Sequence, residues 1–302
     1  MTKTTGWMAA TAAVVAVMGM GASSGDRADG PASRRDTHEN LHAVLWMQSA
    51  AEYQAVARGL YHLAALQLDR ALEDHRWTAI PEQAGRADLP TLAPAVILDA
   101  DETVIDNSPE EGQRVLDRKG YEPALFRAWV NRQEAATVPG AADFLRYAAS
   151  RGVEVFIVTN RKKDEHDATV ATLRKRGVEI PTEHMLCLGE PAPTDDSGDK
   201  TGRRQFVAST HRVLLLVGDD LGDFVSLTPD PGSHRLDRTQ RAAVVDRFSG
   251  YWEDRWIVLP NPAYGSWEHA FAASDITEND NEAEKDRKAL AAQFAGVRGF
   301  QQ

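Results

Sequence analysis

Asp99 and Asp101 follow the apolar run Ala95-Val-Ile-Leu98, and Thr103 comes two residues later. Apolar residues ending abruptly in paired carboxylates are the pattern of a buried parallel strand whose carboxyl end opens into a reaction crevice. Carboxylates that close repel each other, and a divalent cation, a shared proton, or both relieve the repulsion. One can then attack while its neighbour carries a proton. Alternate side chains of an extended chain point the same way, so both reach one small volume if the backbone stays extended past Leu98. A turn there exposes a backbone carbonyl instead. The plain alternative is an Asp-rich cap or turn.

A second run, Val213-Leu-Leu-Leu-Val217, enters Gly218-Asp219-Asp220-Leu221-Gly222-Asp223. Asp219 and Asp223, four apart, share one face of a turn or helix start. Hard oxygen donors from two strand ends, with positions left open for water and phosphate, suit magnesium and not zinc. A third apolar run ends in Thr159-Asn160-Arg161. Thr159 there can donate to a phosphoryl oxygen beside the polar backbone of Asn160 and the N–H groups of a following helix, or can simply cap that helix. Lys200 stands between the loop Pro191–Asp199 and a helical run containing Arg203 and Arg204. An ammonium at that point neutralises a carboxylate nucleophile and a transferred phosphoryl group, unless it is only solvated.

These residues need a scaffold that delivers strand ends to one edge. Strands are expected at Ala95–Leu98, Val153–Val158, Met185–Leu188, Val213–Val217 and Trp256–Leu259. Helices are expected at Ala141–Ser150, Asp164–Arg176, Arg203–Thr210 and Gln240–Phe248, with Gly152 and Gly177 as left-handed helix ends. The alternation predicts an α/β fold, a parallel sheet covered on both faces. Residues 107–139 show no strand pattern but carry Tyr121, Phe126 and Trp129; inserted after the first strand, they form a small cap over the crevice. Residues 37–76 read as one or two helices, with Leu41, Val44, Leu45, Tyr53, Val56, Leu60, Leu63 and Leu66 recurring at helical steps. Their His38, His42 and His62, with His75, are read as solvated or capping residues.

The chain of 302 residues carries a formal charge of −11 and a single cysteine, Cys187. Acidity argues against binding a nucleic acid polymer, and one cysteine excludes an internal disulfide. Lys3 followed by the apolar run Trp7–Met20 reads as a secretory signal over residues 1–24, too short to span a bilayer comfortably. A flexible leader over 25–36, a main domain over 37–272 and a polar segment over 273–302, with a helix at Ala283–Phe294, complete the expected organisation. The expected location is secreted or periplasmic, with no membrane anchor beyond the signal segment.

Asp99-x-Asp101-x-Thr103, Thr159, Lys200 and Gly218-Asp219-x-x-x-Asp223 together resemble the four motifs of the haloacid dehalogenase (HAD) superfamily. The second carboxylate of the first motif points to its phosphatases. Within them, Asp99-Ala-Asp-Glu-Thr-Val-Ile-Asp-Asn107, Val217-Gly-Asp-Asp-Leu-Gly-Asp-Phe224, Ala43-Val-Leu-Trp-Met-Gln-Ser-Ala-Ala-Glu-Tyr53 and Leu259-Pro-Asn-Pro-Ala-Tyr-Gly-Ser-Trp267 resemble the class C acid phosphatases, the lipoprotein e/5′-nucleotidase family. The resemblance runs from about Leu41 to His269. It departs at Glu110, where an aromatic is usual, at Asp220 for Asn or Thr, at Phe126 for Trp, and in lacking the lipoprotein cysteine.

The resemblance implies a three-layer α/β/α Rossmann-like sheet with the fourth strand beside the first and the second on its other side. It implies that Asp99 attacks phosphorus and Asp101 serves as acid and then base. Magnesium would be held by the Asp99 carboxylate, the Asp101 carbonyl and Asp219, with Asp223 orienting that shell. Thr159, Asn160 and Lys200 would bind the phosphoryl group, and Phe126, Trp129 and Tyr264 would line an aromatic slot for a nucleobase. The implied activity is phosphomonoester hydrolysis, 5′-nucleotidase-like, on small-molecule esters. A homodimer is left open. The alternatives are an exported non-catalytic phosphate-ester or haem binding protein, and a phosphotransferase using alcohol acceptors.

Overall fold

The run that ends in Asp99 becomes the middle strand of a five-stranded sheet. The structure, a computed structural model, describes residues 38–190, 198–228, 235–252 and 254–271, with positions 288, 291, 292 and 295. The signal segment, the leader and most of the polar C-terminal segment lie outside the described residues. Positions 288, 291, 292 and 295 are helical.

The first half of the chain forms α1 (Leu41–Ser49), α2 (Ala51–Glu73), β1 (Ala93–Leu98), β2 (Ile105–Asp106), α3 (Ser108–Asp117), α4 (Pro123–Arg132), β3 (Ala136–Thr137) and α5 (Ala141–Ser150). Then come β4 (Glu154–Lys162), α6 (His166–Lys175), β5 (Met185–Leu188), α7 (Thr201–Thr210), β6 (His211–Gly218), α8 (Arg238–Arg247), α9 (Ser249–Trp252), β7 (Trp256–Val258) and α10 (Ser266–His269). The order in the sheet is β5-β4-β1-β6-β7, all parallel, so β6 and β4 flank β1 as the resemblance implies. Leu98 is level with Ile157 on one side and with Val217 on the other. That register aligns the residues that follow each strand along one edge.

Side-chain alternation along β1 divides the core. Val96 and Leu98 pack with α2 and α5, whereas Ala95 and Ile97 face Phe156, Val207 and Trp256. Burying each Val, Leu or Ile contributes about 1.5–3 kcal/mol, so this strand is a fixed base for the loop it carries. Gly152 and Gly177 adopt the left-handed conformation expected of them, with φ of 71° and 72°.

The core stripe of α2 includes Tyr53, as expected from the sequence, with Leu60 and Leu63 packed at its edge, but otherwise differs from the large apolar residues chosen. Tyr53, Ala57, Tyr61, Ala64, Leu68 and Ala71 are buried, while Val56 and Leu66 are exposed. Alanines let the helix approach α5 and β6 closely, and hydrophobic size alone does not reveal this. Arg212 of β6 donates to the Ala71 and Asp74 carbonyls at 3.1 and 2.7 Å and so closes the carboxyl end of α2.

The cap carries two helices and, contrary to expectation, a strand pair. β2 and β3 pair antiparallel, Ile105 with Thr137 and Asp106 with Ala136. Two-residue strands are too short to leave an alternating pattern in the sequence. Among the described residues, no helix is long and apolar enough to cross a membrane.

Candidate active site

Asp99 begins where β1 ends, its N–H donating to the Val217 carbonyl of β6 at 3.0 Å. The chain does not stay extended beyond it. It turns through Ala100–Val104, with the Val104 and Ile105 N–H groups both on the Ala100 carbonyl at 2.9 and 2.7 Å, and Glu102 at a φ of 50°. Tyr61 of α2 donates to the Thr103 carbonyl at 2.5 Å and pins this turn to the core. Asp99 and Asp101 nevertheless line the same cavity, of about 580 Å³.

Asp219 and Asp223 arrive from the end of β6. A short turn, Leu221–Asp223, folds the Asp223 side chain back over Gly218, where any Cβ would collide with it. Glycine at 218 is thus a requirement of close approach. One carboxylate oxygen from each of Asp99, Asp219 and Asp223 lies within 4.8 Å of the others. Lys200, at the head of α7, donates to Asp99 Oδ1 at 2.5 Å and Asp223 Oδ1 at 2.6 Å. Asp219 accepts from Thr103 Oγ1 and from Asn261 Nδ2, each at 2.9 Å. Asp223 thus lies beside the two expected carboxylate ligands, Asp99 and Asp219.

Burial raises the Asp99 carboxyl to about 7; Lys200 pulls it down, and Asp223 and Asp101 push it up. Asp219 is held well above the ordinary carboxylate range by burial and then by Asp223 and Asp99. For Lys200, burial disfavours the ammonium, but Asp223 and Asp99 outweigh it and raise the pKa above the ordinary lysine value. This corner lacks positive charge relative to the carboxylates it holds.

Asp101 sits in a different environment. Arg161, itself buried, donates to Asp101 Oδ1 from Nη2 at 2.8 Å and from Nε at 3.0 Å, and Asn107 Nδ2 adds a third donor at 2.7 Å. Burial favours the neutral acid, but the Arg161 charge and these hydrogen bonds hold its pKa below the usual range. Thr159 Oγ1 lies 3.5 Å from Asp101 Oδ2 and accepts from the Arg161 N–H at 3.1 Å. Asn160 lines the cavity, with its side-chain amide engaged by the Gly198 carbonyl at 2.9 Å and by Arg203 at 2.6 Å.

The expected aromatic slot is only partly assembled. Phe126 and Tyr264 line the cavity; Trp129 does not. Its indole Nε1 donates to Asn107 Oδ1 at 3.0 Å, so the ring is engaged by a polar side chain outside the cavity wall. The Tyr264 hydroxyl is bonded to the fully buried Glu102, whose carboxyl is kept well above its ordinary range by burial, with Asp101 and Asp219 adding to it. Glu102, Asn107, Arg161 and Asn261 were not singled out from the sequence. Glu102 and Asn107 lie within the Asp99–Asn107 motif, and Arg161 directly follows Thr159-Asn160, which are the signals that point to them.

The model of the HAD superfamily, subfamily IIIB (acid phosphatase), matches residues 33–267. The chain belongs to this family. Two solved structures of a class C acid phosphatase from Bacillus anthracis are similar to it, each with a TM-score of 0.71. One, with tungstate bound, is 32% identical and covers 88% of this chain and 100% of its own; the other is 33% identical and covers 87% and 98%. More distant are two glycoproteins of Glycine max, the stem 31 kDa glycoprotein at 25% identity and the stem 28 kDa glycoprotein at 23%. This chain matches 56% of its own length to each and spans 58% of theirs.

HAD phosphatases generally use a divalent metal, and the donor set here fits one. Asp99, Asp219 and Asp223 present hard oxygens in one small volume, and burial and then the neighbouring carboxylates leave Asp99 and Asp219 prone to protonation. These three side chains would hold the ion. Bound there, it would supply the charge that keeps the carboxylates ionised and offsets negative charge gathering on a phosphoryl group.

Proposed function

We propose that this acid phosphatase family member is an exported, magnesium-dependent phosphomonoesterase, acting on nucleoside monophosphates and similar small esters through an aspartyl-phosphate on Asp99. The observation that carries the reading is the Lys200 ammonium between Asp99 and Asp223, beside Asp219 and facing a cavity that Asp101 also lines. A cap or solvated turn does not gather two carboxylates around one buried ammonium with a third carboxylate beside them.

An Asp99 oxygen attacks phosphorus in line as the bond to the leaving oxygen breaks, and Asp101, which Arg161 keeps ionised in the free site, takes up a proton as the anionic ester binds beside it and gives that proton to the leaving oxygen. The same carboxylate then takes a proton from water as the water attacks the phosphoryl group, which frees phosphate and regenerates Asp99. Lys200 neutralises the phosphoryl oxygens, with the Thr159 and Asn160 end of β4 across the pocket. The relative from Bacillus anthracis with tungstate bound, a tetrahedral oxyanion, supports a phosphate-sized subsite here. Export rests on the apolar run Trp7–Met20.

The decisive assay mixes the purified chain with p-nitrophenyl phosphate and Mg²⁺, with chelator as the control. Phosphate release that stops on chelation and returns with Mg²⁺ supports the proposal. Binding of phosphate esters without turnover replaces it with the non-catalytic reading, and glycerol phosphate formed in added glycerol marks a phosphotransferase.

Two expectations follow for the site. Asp99 and Asp219 have folded-state pKa values above their unfolded ones, so the cation-free protein loses stability as pH rises from about 4 through about 7. Bound Mg²⁺ recovers that loss. Its gain in Tm should be larger at pH 7 than at pH 5, and Asp219→Asn should shrink it; thermal denaturation with equal gains at both pH values excludes this carboxylate set. Tyr264→Ala should raise KM for nucleoside monophosphates roughly tenfold while changing KM for small alkyl phosphates little, since base stacking is worth about 1–3 kcal/mol. Equal rises on both substrates remove Tyr264 from the leaving-group wall.

A further inference from the structure

The hydrogen bonds around Asp101 are strongly unequal. Its Oδ1 accepts from Asn107 Nδ2 at 2.7 Å and from Arg161 Nη2 and Nε at 2.8 and 3.0 Å. Among the described residues, its Oδ2 has only Arg161 Nε at 3.3 Å and Thr159 Oγ1 at 3.5 Å. A carboxyl group held by one oxygen has the other free to carry a proton and to reach a third group.

Asn107 can hold that oxygen only if its amide nitrogen, and not its amide oxygen, faces Asp101. The Trp129 indole fixes this choice. Its N–H donates to Asn107 Oδ1 at 3.0 Å, and Arg161 Nη2 donates to the same oxygen at 3.3 Å. With two donors on its oxygen, the amide can offer only N–H to Asp101. Trp129 belongs to α4 of the cap and is half-buried against the main core, so the amide is oriented by a rigid ring.

We propose that Trp129, acting through Asn107, is a positioning residue for the proton-donating Asp101, and that the cap thereby sets the aim of the acid as well as covering the cavity. This rests on the reading of Asp101 as proton donor given above. It removes Trp129 from the leaving-group slot.

Leaving-group chemistry separates this role from stacking and from mere structural support. An alkyl phosphate needs a proton on its departing oxygen, whereas p-nitrophenolate leaves without one. Positioned general acids are worth about 10²–10⁴ in rate, and small misplacements forfeit part of that. Trp129→Phe keeps an aromatic ring in α4 and removes the N–H donor together with the pyrrole part of the indole. It should lower kcat/KM for ethyl phosphate roughly tenfold and for p-nitrophenyl phosphate at most about twofold. Asn107→Ser should show the same selectivity with a larger loss, and the double variant should be no worse than Asn107→Ser, since both act on one path.

An equal loss on both esters, or a loss confined to KM for nucleotides, overturns the inference. Asp101→Asn provides the control, with near-ultraviolet circular dichroism confirming native packing in every variant. If Asp101→Asn lowers kcat/KM for ethyl phosphate far more than for p-nitrophenyl phosphate, its base role being common to both esters and falling after leaving-group departure, and Trp129→Phe shows no such selectivity, the positioning role alone is refuted. If Asp101→Asn shows no selectivity either, the proton-donor reading fails and the inference falls with it.

Discussion

Asp99→Asn is expected to lower kcat on p-nitrophenyl phosphate by roughly four orders of magnitude or more, while raising Tm in cation-free buffer at pH 7. The activity loss follows from chemistry: an amide cannot form the acyl phosphate, and no neighbouring carboxylate replaces it, because Asp101 is held by Arg161 and Asn107. The stability gain follows from the shift of Asp99 to about 7. A folded-state pKa above the unfolded value means that the fold disfavours the ionised form, so the wild-type chain is penalised progressively as pH rises from about 4 to about 7. Asparagine has no such penalty. It still offers an amide oxygen to Lys200, whose second partner Asp223 remains 2.6 Å away. The Tm difference between variant and wild type should therefore be small at pH 4 and grow towards pH 7, and added Mg²⁺ should diminish it. A variant that retains turnover sinks the nucleophile assignment; one that unfolds at pH 7 shows that Asp99 is held for its packing and not despite its charge.

The strand-end carboxylates were legible because they break a strong pattern. Apolar runs of buried parallel strands stop at Leu98 and Val217, and the charged residues that follow are costly to bury without a partner. Lys200 was legible only through its company, since nothing local separates it from a solvated lysine. The groups that hold Asp101 and Asp219 were not. Asn261 reaches Asp219 and Arg161 reaches Asp101 across 42 and 60 positions of sequence, and such pairings are created by topology after the strands have assembled. Trp129 shows the complementary error. An aromatic residue in a cap suggests stacking, but its N–H finds an amide before its ring finds the cavity, and only side-chain direction distinguishes the two. The same applies to α2, whose closest-packed positions are alanines.

Lys200→Met is expected to lower kcat/KM about 10²–10³-fold and to destabilise the protein in a pH-dependent way. The ammonium is buried, and its pKa is raised by Asp223 and Asp99 despite that burial, so it stays charged throughout the range in which the carboxylates titrate. Methionine has similar length and no charge. The three carboxylates then share one pocket without a counter-charge, and removing one partner of a buried pair costs about 3–5 kcal/mol. At pH 5 protonation of Asp99 and Asp219 relieves the repulsion and the Tm deficit should be slight; at pH 8 it should be largest. Mg²⁺ should restore much of the lost Tm, because it supplies positive charge to the same oxygens. It should not restore kcat/KM, because the proposed role of Lys200 extends to the phosphoryl oxygens. Recovery of both Tm and kcat/KM by Mg²⁺ alone would reduce Lys200 to a counter-ion for the empty site, whereas recovery of Tm alone separates its structural charge from its catalytic one.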